Sequence, residues 1–268
     1  MQNDTRTEKK TPRSSLCKKV SFTVPTSWGE LTQEQLRYVL KVMSLYGSKP
    51  EGMEIAKLWA LRYFCRFETI RKTDAGWLCQ LVDSKKAFIL NPDLIPSILE
   101  QLSWLDHPEE MTVRLEEVSG YKAVDMSFRH LPFKLYLELE NHYQYYLASK
   151  DEKYLEKMFN ILYGIPTGFK IYVAEYVPLS VFLWYTATKH TFSKVFHHFL
   201  KPVREGQQTG TQESQLEMMN AQIRLLTKGD ITKNNEVLLS STWDALTELD
   251  ALARDSEEFN RKYGKHGT

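Results

Sequence analysis

LPFKLYLELENHYQYYLASKDEKYLEKMFNILYG, residues Leu131–Gly164, decides the fold. From Phe133, apolar side chains recur at Tyr136, Leu139, Tyr143 and Tyr146/Leu147. A second run holds Tyr154, Leu155, Met158, Phe159 and Leu162. Steps of three and four put each set on one helical face, so the stretch predicts two helices. Ser149-Lys150-Asp151-Glu152 between them has capping-box spacing, with the Ser149 hydroxyl and Glu152 carboxylate each reaching the other's amide. Gly164 can turn left-handed and end the second helix. So short a turn makes the two helices antiparallel neighbours. The aromatic stripes read as core. Tyr145 lies off the main stripe and is assigned to a partner surface, because tyrosine is enriched at interfaces.

Upstream, residues 1–19 are rich in Lys, Arg, Thr and Ser, have little to bury, and are expected to be a disordered basic tail. Val20–Val24 (VSFTV) reads as a short β-like run closed by Pro25. Trp28 then precedes a second capping-box pattern, Thr32-x-x-Gln35. It either packs on the start of the helix behind it or stands out as a partner anchor. That helix carries Leu36, Val39, Leu40, Met43 and Tyr46 on one face and stops at Gly47. The next helix opens at Pro50 or Glu51, turns Ile55, Leu58, Trp59 and Tyr63 inward, and runs to about Phe67. Trp77–Val82 and Ala87–Leu90 flank a polar turn and read as two short strands. Asn91-Pro92 opens a helix reaching Leu105. Met111–Leu115 and Tyr121–Met126 surround Gly120 as a second strand pair.

Downstream, Pro178 starts a helix Leu179–Leu200 with Phe182, Tyr185, Phe192, Phe196 and Phe199 on its face. Arg204–Ser214 is polar and holds no large apolar residue, as a flexible linker does. A helix follows with Leu216, Met219, Ile223 and Leu226. Ser241-x-x-Asp244 caps the last, striped by Trp243, Leu246 and Leu249. The fold class is therefore mainly α: a multi-helix bundle of helical hairpins with one or two short β-hairpins. The expected division is a tail 1–19, a main helical domain 20–202, a linker or exposed loop 203–214 and a C-terminal helical hairpin 215–268.

Of the 268 residues, 42% are hydrophobic and 26% charged, ordinary for a globular chain. The net charge of +1 argues against a general nucleic-acid coat. Outside the first 19 residues charge is mixed, with 203–268 leaning acidic. Cys17, Cys65 and Cys79 form no CxxC pair, which points to a reducing compartment rather than a disulfide framework or zinc ribbon. The start lacks an apolar signal core. The most apolar later run, Tyr176–Thr188, falls short of the ~20 residues that span a bilayer. A soluble, cytoplasmic protein is expected.

No residue pattern declares a chemistry. His190 and His197 share a helical face but are two turns, about 10 Å, apart. Zinc pairs on one helix use i,i+4 spacing, and His198 merely adjoins, so these read as ordinary histidines. Glu109-Glu110, Glu116-Glu117, Glu138/Glu140 and Glu257-Glu258 read as solvated faces, since a catalytic pair needs a cleft that raises one pKa. There is no phosphate loop and no GxSxG elbow. No catalytic residue, cofactor or metal is implied, and the chain reads as non-enzymatic.

Three segments carry a resemblance: VPTSWGELTQEQLRYVL, LELENHYQYYLASKDEKYLEKMFNILYG and IRLLTKGDITKNNEVLLSSTWDALTELDALA. Together they resemble helical proteins of structural-gene modules in phages and prophages of Bacteroides-type bacteria. The opening Pro-Thr-Ser-Trp-Gly-Glu-Leu-Thr resembles the start of phage tail-assembly chaperones. The resemblance implies an assembly factor or virion-associated protein in the bacterial host cell. It would bind a phage structural or assembly protein, such as a tape-measure-like rod, through aromatic and Met surfaces, with self-association a further option. It supplies no catalytic residues. Met218 and Met219 beside the linker are the adaptable contact such a surface would use, with core filling the alternative reading. The second functional reading is a nucleic-acid-binding accessory protein of a mobile element acting through the basic N-terminal arm.

Overall fold

Two side chains that read each other's amides start the structure. Thr32 Oγ1 accepts from the Gln35 amide at 3.2 Å, and Gln35 Oε1 accepts from the Thr32 amide at 2.9 Å. That is the capping box expected of this sequence, and it opens α1 (Gln33–Tyr46), which buries Leu36, Val39, Leu40, Val42 and Met43. The computed structural model describes residues 20–166, 168–200 and 212–263. The expected tail 1–19 and the linker residues 203–211 lie outside the described residues. Val20–Val24 forms no strand. Phe22 instead lies over Phe67 and Phe88, with ring centroids 6.2 and 5.5 Å away. The run therefore covers a face of the sheet, where there is no ladder to join.

α2 (Gly52–Phe64) is rotated from its expected face. It buries Ala56, Ala60, Leu61 and Lys57, while Ile55 and Leu58 remain at the surface. Gly52 sits so close to the end of α1 that a Cβ would come within 1.8 Å of the Tyr46 carbonyl oxygen. Small residues let the two helices approach, and that contact outweighs the larger side chains in setting the rotation. The Lys57 ammonium is buried yet answered by Asp106 at 2.5 Å and Glu54 at 3.2 Å. Burial alone would depress its pKa, but the two carboxylates raise it.

α2 stops three residues before its expected end. Arg66 turns left-handed at φ 49° and starts β1 (Phe67–Thr73), a strand that the sequence reading took for helix and loop. β1 pairs antiparallel with β2 (Gly76–Leu81), and β2 with β3 (Ala87–Leu90), in the order β1-β2-β3. The second and third strands are the two that were expected. Gly76 (φ 129°) makes the first turn, where a Cβ would meet the Leu90 carbonyl at 2.4 Å.

The expected helix Pro92–Leu105 is broken into a 3-10 turn, α3 (Ile95–Leu99) and a further 3-10 stretch through Asp106. Pro96 has no amide to donate to the Pro92 carbonyl, so the i→i−4 ladder cannot run through the first turn. The expected strand Met111–Leu115 does not form; the second pair is instead β4 (Glu117–Val118) with β5 (Tyr121–Lys122), the latter only the start of the expected Tyr121–Met126. Gln33 of α1 takes the place of a neighbouring strand. Its amide nitrogen donates to the Arg114 carbonyl and its oxygen accepts from the Glu116 amide, at 2.9 and 3.0 Å.

A loop held by one carboxylate launches the hairpin. Asp125 accepts from the Ser127 amide and hydroxyl, the Arg129 amide and the His130 amide, all within 3.1 Å, and also pairs with the His130 ring. Burial opposes its ionisation, but these donors win and hold its pKa far below the usual carboxylate range. Phe128 within the loop adopts φ 54° and is fully buried. A group whose folded pKa is depressed stabilises the fold above its unfolded pKa, about 3.9 for Asp. That contribution is lost as pH falls below it. Urea titrations should therefore show stability declining below about pH 4. Asp125→Ala should cost roughly 2–3 kcal/mol at neutral pH and flatten the acid decline.

The hairpin is α4 (Phe133–Ser149) and α5 (Lys153–Leu162), with Phe133, Tyr136, Leu139 and Tyr143 buried on one and Leu155, Met158, Phe159 and Leu162 on the other. The expected capping box at its turn does not form. Ser149 is still helical, and its hydroxyl donates to the Tyr145 carbonyl at 2.8 Å. The side chain at the turn that receives the Lys153 amide is Asp151 instead, at 3.0 Å. Gly164 does end α5 at φ 60°.

α6 (Val177–Val195) follows and ends five residues before the expected Leu200. Asp250 reaches across to accept the amides of His198 and Phe199 at 2.9 and 3.0 Å, which gives the departing chain an acceptor outside the helix. α7 (Gln212–Leu226), which begins inside the expected linker 203–214, α8 (Asn234–Leu239) and α9 (Thr242–Tyr263) are the last described elements. α9 is pinned to the hairpin's start by Thr242, whose hydroxyl and amide both donate to the Leu131 carbonyl. Ala245, Leu246 and Leu249 join the same buried cluster as α1, α4, α5 and α6. The result is a mainly helical bundle with two small antiparallel sheets, as the sequence periodicity requires. No helix among the described residues is long and apolar enough to cross a membrane.

Candidate functional site

The four residues assigned to a partner surface separate into three environments. Trp28 is in the core, 2% exposed. Its indole donates to the His107 carbonyl at 3.2 Å and meets Trp104 edge-on at 5.1 Å. Its packing reading is the one the geometry supports. Tyr145 is half-buried and stacked at 5.1 Å on Tyr154 across the hairpin, so it serves the α4–α5 contact. Met219 is half-buried and Met218 is 57% exposed, adjacent in sequence but on different sides of α7.

No side chain of α7 is fully buried among its described residues 216–226. Met219, Ile223 and Leu226 recur at the i, i+4, i+7 spacing of one face and are packed on the core from outside. Leu216, Met218 and Leu225 face solvent, near half exposed or more. The following turn and α8 continue the trend, with Ile231 and Leu239 more than two-thirds exposed. The helix ends where Lys228 and Gly229 turn left-handed and the Gly229 amide returns to the Arg224 carbonyl at 3.0 Å. Asp230 then caps the next turn through the Thr232 amide at 3.0 Å. These ends are well formed, so the apolar surface belongs to an ordered helix. α9 beneath it is firmly seated. Trp243 meets Phe192 and Phe196 at 6.1 and 5.1 Å, and the Arg129 guanidinium lies 4.9 Å from its ring.

A second surface feature is a groove of about 620 Å³ between α1, α2 and β1. Tyr38 and Tyr63 stack in its wall at 4.0 Å, and the Arg62 guanidinium lies 5.1 Å from the Trp59 ring. The Tyr63 hydroxyl donates to Glu34 and Arg62 Nε to the Phe67 carbonyl, at 3.1 and 3.2 Å. The sequence reading missed this groove because its residues come from three elements and from the wrongly oriented face of α2.

Several titratable groups are committed to structure, although the buried His142 Nδ1 has no hydrogen-bond partner. Glu140, between α4 and α6, accepts from the Tyr185 hydroxyl at 2.7 Å, Lys189 at 2.5 Å and Gln144 at 2.7 Å. Burial would raise its pKa, but the Lys189 charge and these donors lower it, so it is a carboxylate with its acceptors used rather than a poised acid. Glu109 pairs with His107, and His198 Nδ1 lies 2.8 Å from Glu257. Cys65 and Cys79 are free, and burial pushes the Cys65 thiol up to about 11, away from thiolate reactivity. Among the described residues no group of three or more His, Cys, Asp or Glu is placed to hold a metal ion. A scan against family models, a search of curated proteins and a search of solved structures each find nothing that matches this chain.

Proposed function

We propose that this chain is a non-enzymatic interaction protein of phage or prophage particle assembly, resembling a tail-assembly chaperone and acting in the cytoplasm of a bacterial host. In this reading it holds an amphipathic helix of a structural partner, of the tape-measure-like kind, against α7. The observation that carries the reading is exposed apolar surface on α7: Met218 and Leu225 share its outer side, and Leu216 stands exposed at the start of the inner stripe. Exposed apolar surface of this kind marks contact sites, and a helix laid in a groove reads partners through i, i+3, i+4 anchors. Methionine suits the role because its unbranched thioether adapts to the partner's shape. The three segments that resemble phage structural-module proteins supply the setting.

Coexpression with the neighbouring structural genes of the element, followed by purification through this chain, tests the reading. The expected result is stoichiometric recovery of a structural protein by the parent and its loss by Met218→Glu/Leu225→Glu, whose thermal midpoint should stay within about 2–4 °C of the parent because both sites are exposed. Recovery of the same protein by both forms, or by neither, would count against it.

A further inference from the structure

We propose that the open end of the three-stranded sheet, with the groove beside it, binds single-stranded nucleic acid. The net charge of +1 conceals an uneven distribution. Residues 61–90 hold six Lys and Arg against three Asp and Glu, and residues 1–19 hold six against two, leaving 23 against 29 elsewhere. The fold brings three of these cations to one end of the sheet, while Arg71 and Lys72 lie toward the other. Arg66 lies in the α2–β1 turn, and Lys85 and Lys86 lie in the β2–β3 turn. The two turns meet where the Val82 amide donates to the Arg66 carbonyl at 2.8 Å. All three cationic side chains are exposed. Val20 and Ser21 line a hollow at this end together with Arg66 and Ser84.

Two further observations point to a ligand. Arg66 and Lys85 both adopt left-handed backbone, φ 49° and 55°. Glycine would take that conformation without steric cost, so each cation stands where the backbone alone prefers another residue. Arg66 also lines the aromatic groove of Tyr38, Trp59 and Tyr63. Stacking rings beside a cationic track are how sequence-tolerant single-strand binders hold bases and backbone at once. Glu34 and Glu68 line the same groove. Both carboxylates are exposed and turn phosphate away from their side of the groove, which leaves phosphates at the Arg66–Lys85–Lys86 rim and a base against the rings. Asp83 answers Arg66 at 3.0 Å on the exposed rim, a solvent-screened pair that a phosphate can replace.

The left-handed positions make a clean test, because Arg66→Gly/Lys85→Gly removes two charges and relieves backbone strain together. The full chain is titrated by anisotropy with labelled oligo(dT) of about 15 nucleotides, a length within single-strand site sizes, from about 50 to about 200 mM salt. Expected are binding that weakens steeply with salt, quenching of tryptophan emission, and weaker retention of a duplex of equal length. The double variant should keep or exceed the parent's thermal midpoint. It should bind at least tenfold more weakly at low salt, with a log–log salt slope smaller by about 1.4, two contacts at roughly 0.7 each. No binding by the parent overturns the proposal, as does equal binding by the double variant, which would assign affinity to residues 1–19 alone. Equal affinity for duplex, or for poly-glutamate in place of the oligonucleotide, overturns it as well, by removing the stacking or the nucleic-acid requirement. None of these outcomes bears on the α7 surface.

Discussion

Leu246→Ala is expected to destabilise the whole chain by roughly 3 kcal/mol, within the range of buried Leu truncations. That corresponds to about 10 °C in thermal midpoint for a chain of this size. Leu246 is fully buried, and its neighbours on α9, Ala245 and Leu249, belong to the same cluster as Leu36 of α1 and Leu162 of α5. Truncation removes packing and leaves a cavity in a core shared by elements more than a hundred residues apart. Far-ultraviolet dichroism and tryptophan fluorescence should shift together in one transition. An early, separate melting of α7 to α9, with the remainder unchanged, would show that α9 only rests on the bundle.

Glu140→Ala is expected to cost about 3 kcal/mol. The loss comes from what remains behind. The Tyr185 hydroxyl, on a fully buried residue, loses the acceptor at 2.7 Å, and Lys189 loses its countercharge beside the Tyr143 ring. Both Glu140 and Lys189 keep partial exposure, 26% and 33% of the side chain, so water limits the penalty at the charge. Glu140→Gln keeps an acceptor for Tyr185 and should cost about half as much. If the orphaned hydroxyl is the main cause, Tyr185→Phe should cost little when added to Glu140→Ala, so the pair should be clearly non-additive in denaturant titrations. Full additivity would place the loss elsewhere.

The long periodic segments were legible in the sequence because their signals are local. Thr32 and Gln35 cap α1 as their spacing requires, and the hairpin stripes from Phe133 and Leu155 face the core, although Tyr154, expected on the second, stacks on Tyr145 instead. What escaped depends on contacts distant in the chain. α2 turns by the close approach of Gly52 to Tyr46, and nothing in the periodicity of Ile55 and Leu58 encodes that neighbour. β1 is exposed along most of its length and carries an irregularity between Thr69 and Arg71, so it lacks the alternation that marks a half-buried strand. The Ser149 box failed for a smaller reason, a hydroxyl that bonds back within its own helix. Met218 stands out in the sequence only as a methionine beside a polar stretch. Its exposure, and the burial of Trp28, required the tertiary structure. The basic end of the sheet could have been seen in the local charge count of residues 61–90, which the whole-chain net charge averages away.

The central claim, that α7 docks a helix of a structural partner, is tested most directly by site-specific photocrosslinking in host cells that express the element's structural genes. A photoreactive aromatic residue is placed at Met218, with exposed Glu138 on α4 as the control site. The account predicts a crosslink from position 218, absent from 138, that maps to an amphipathic helix of a co-encoded structural protein. Position 218 giving no adduct beyond the control, in cells where particles assemble normally, would contradict it.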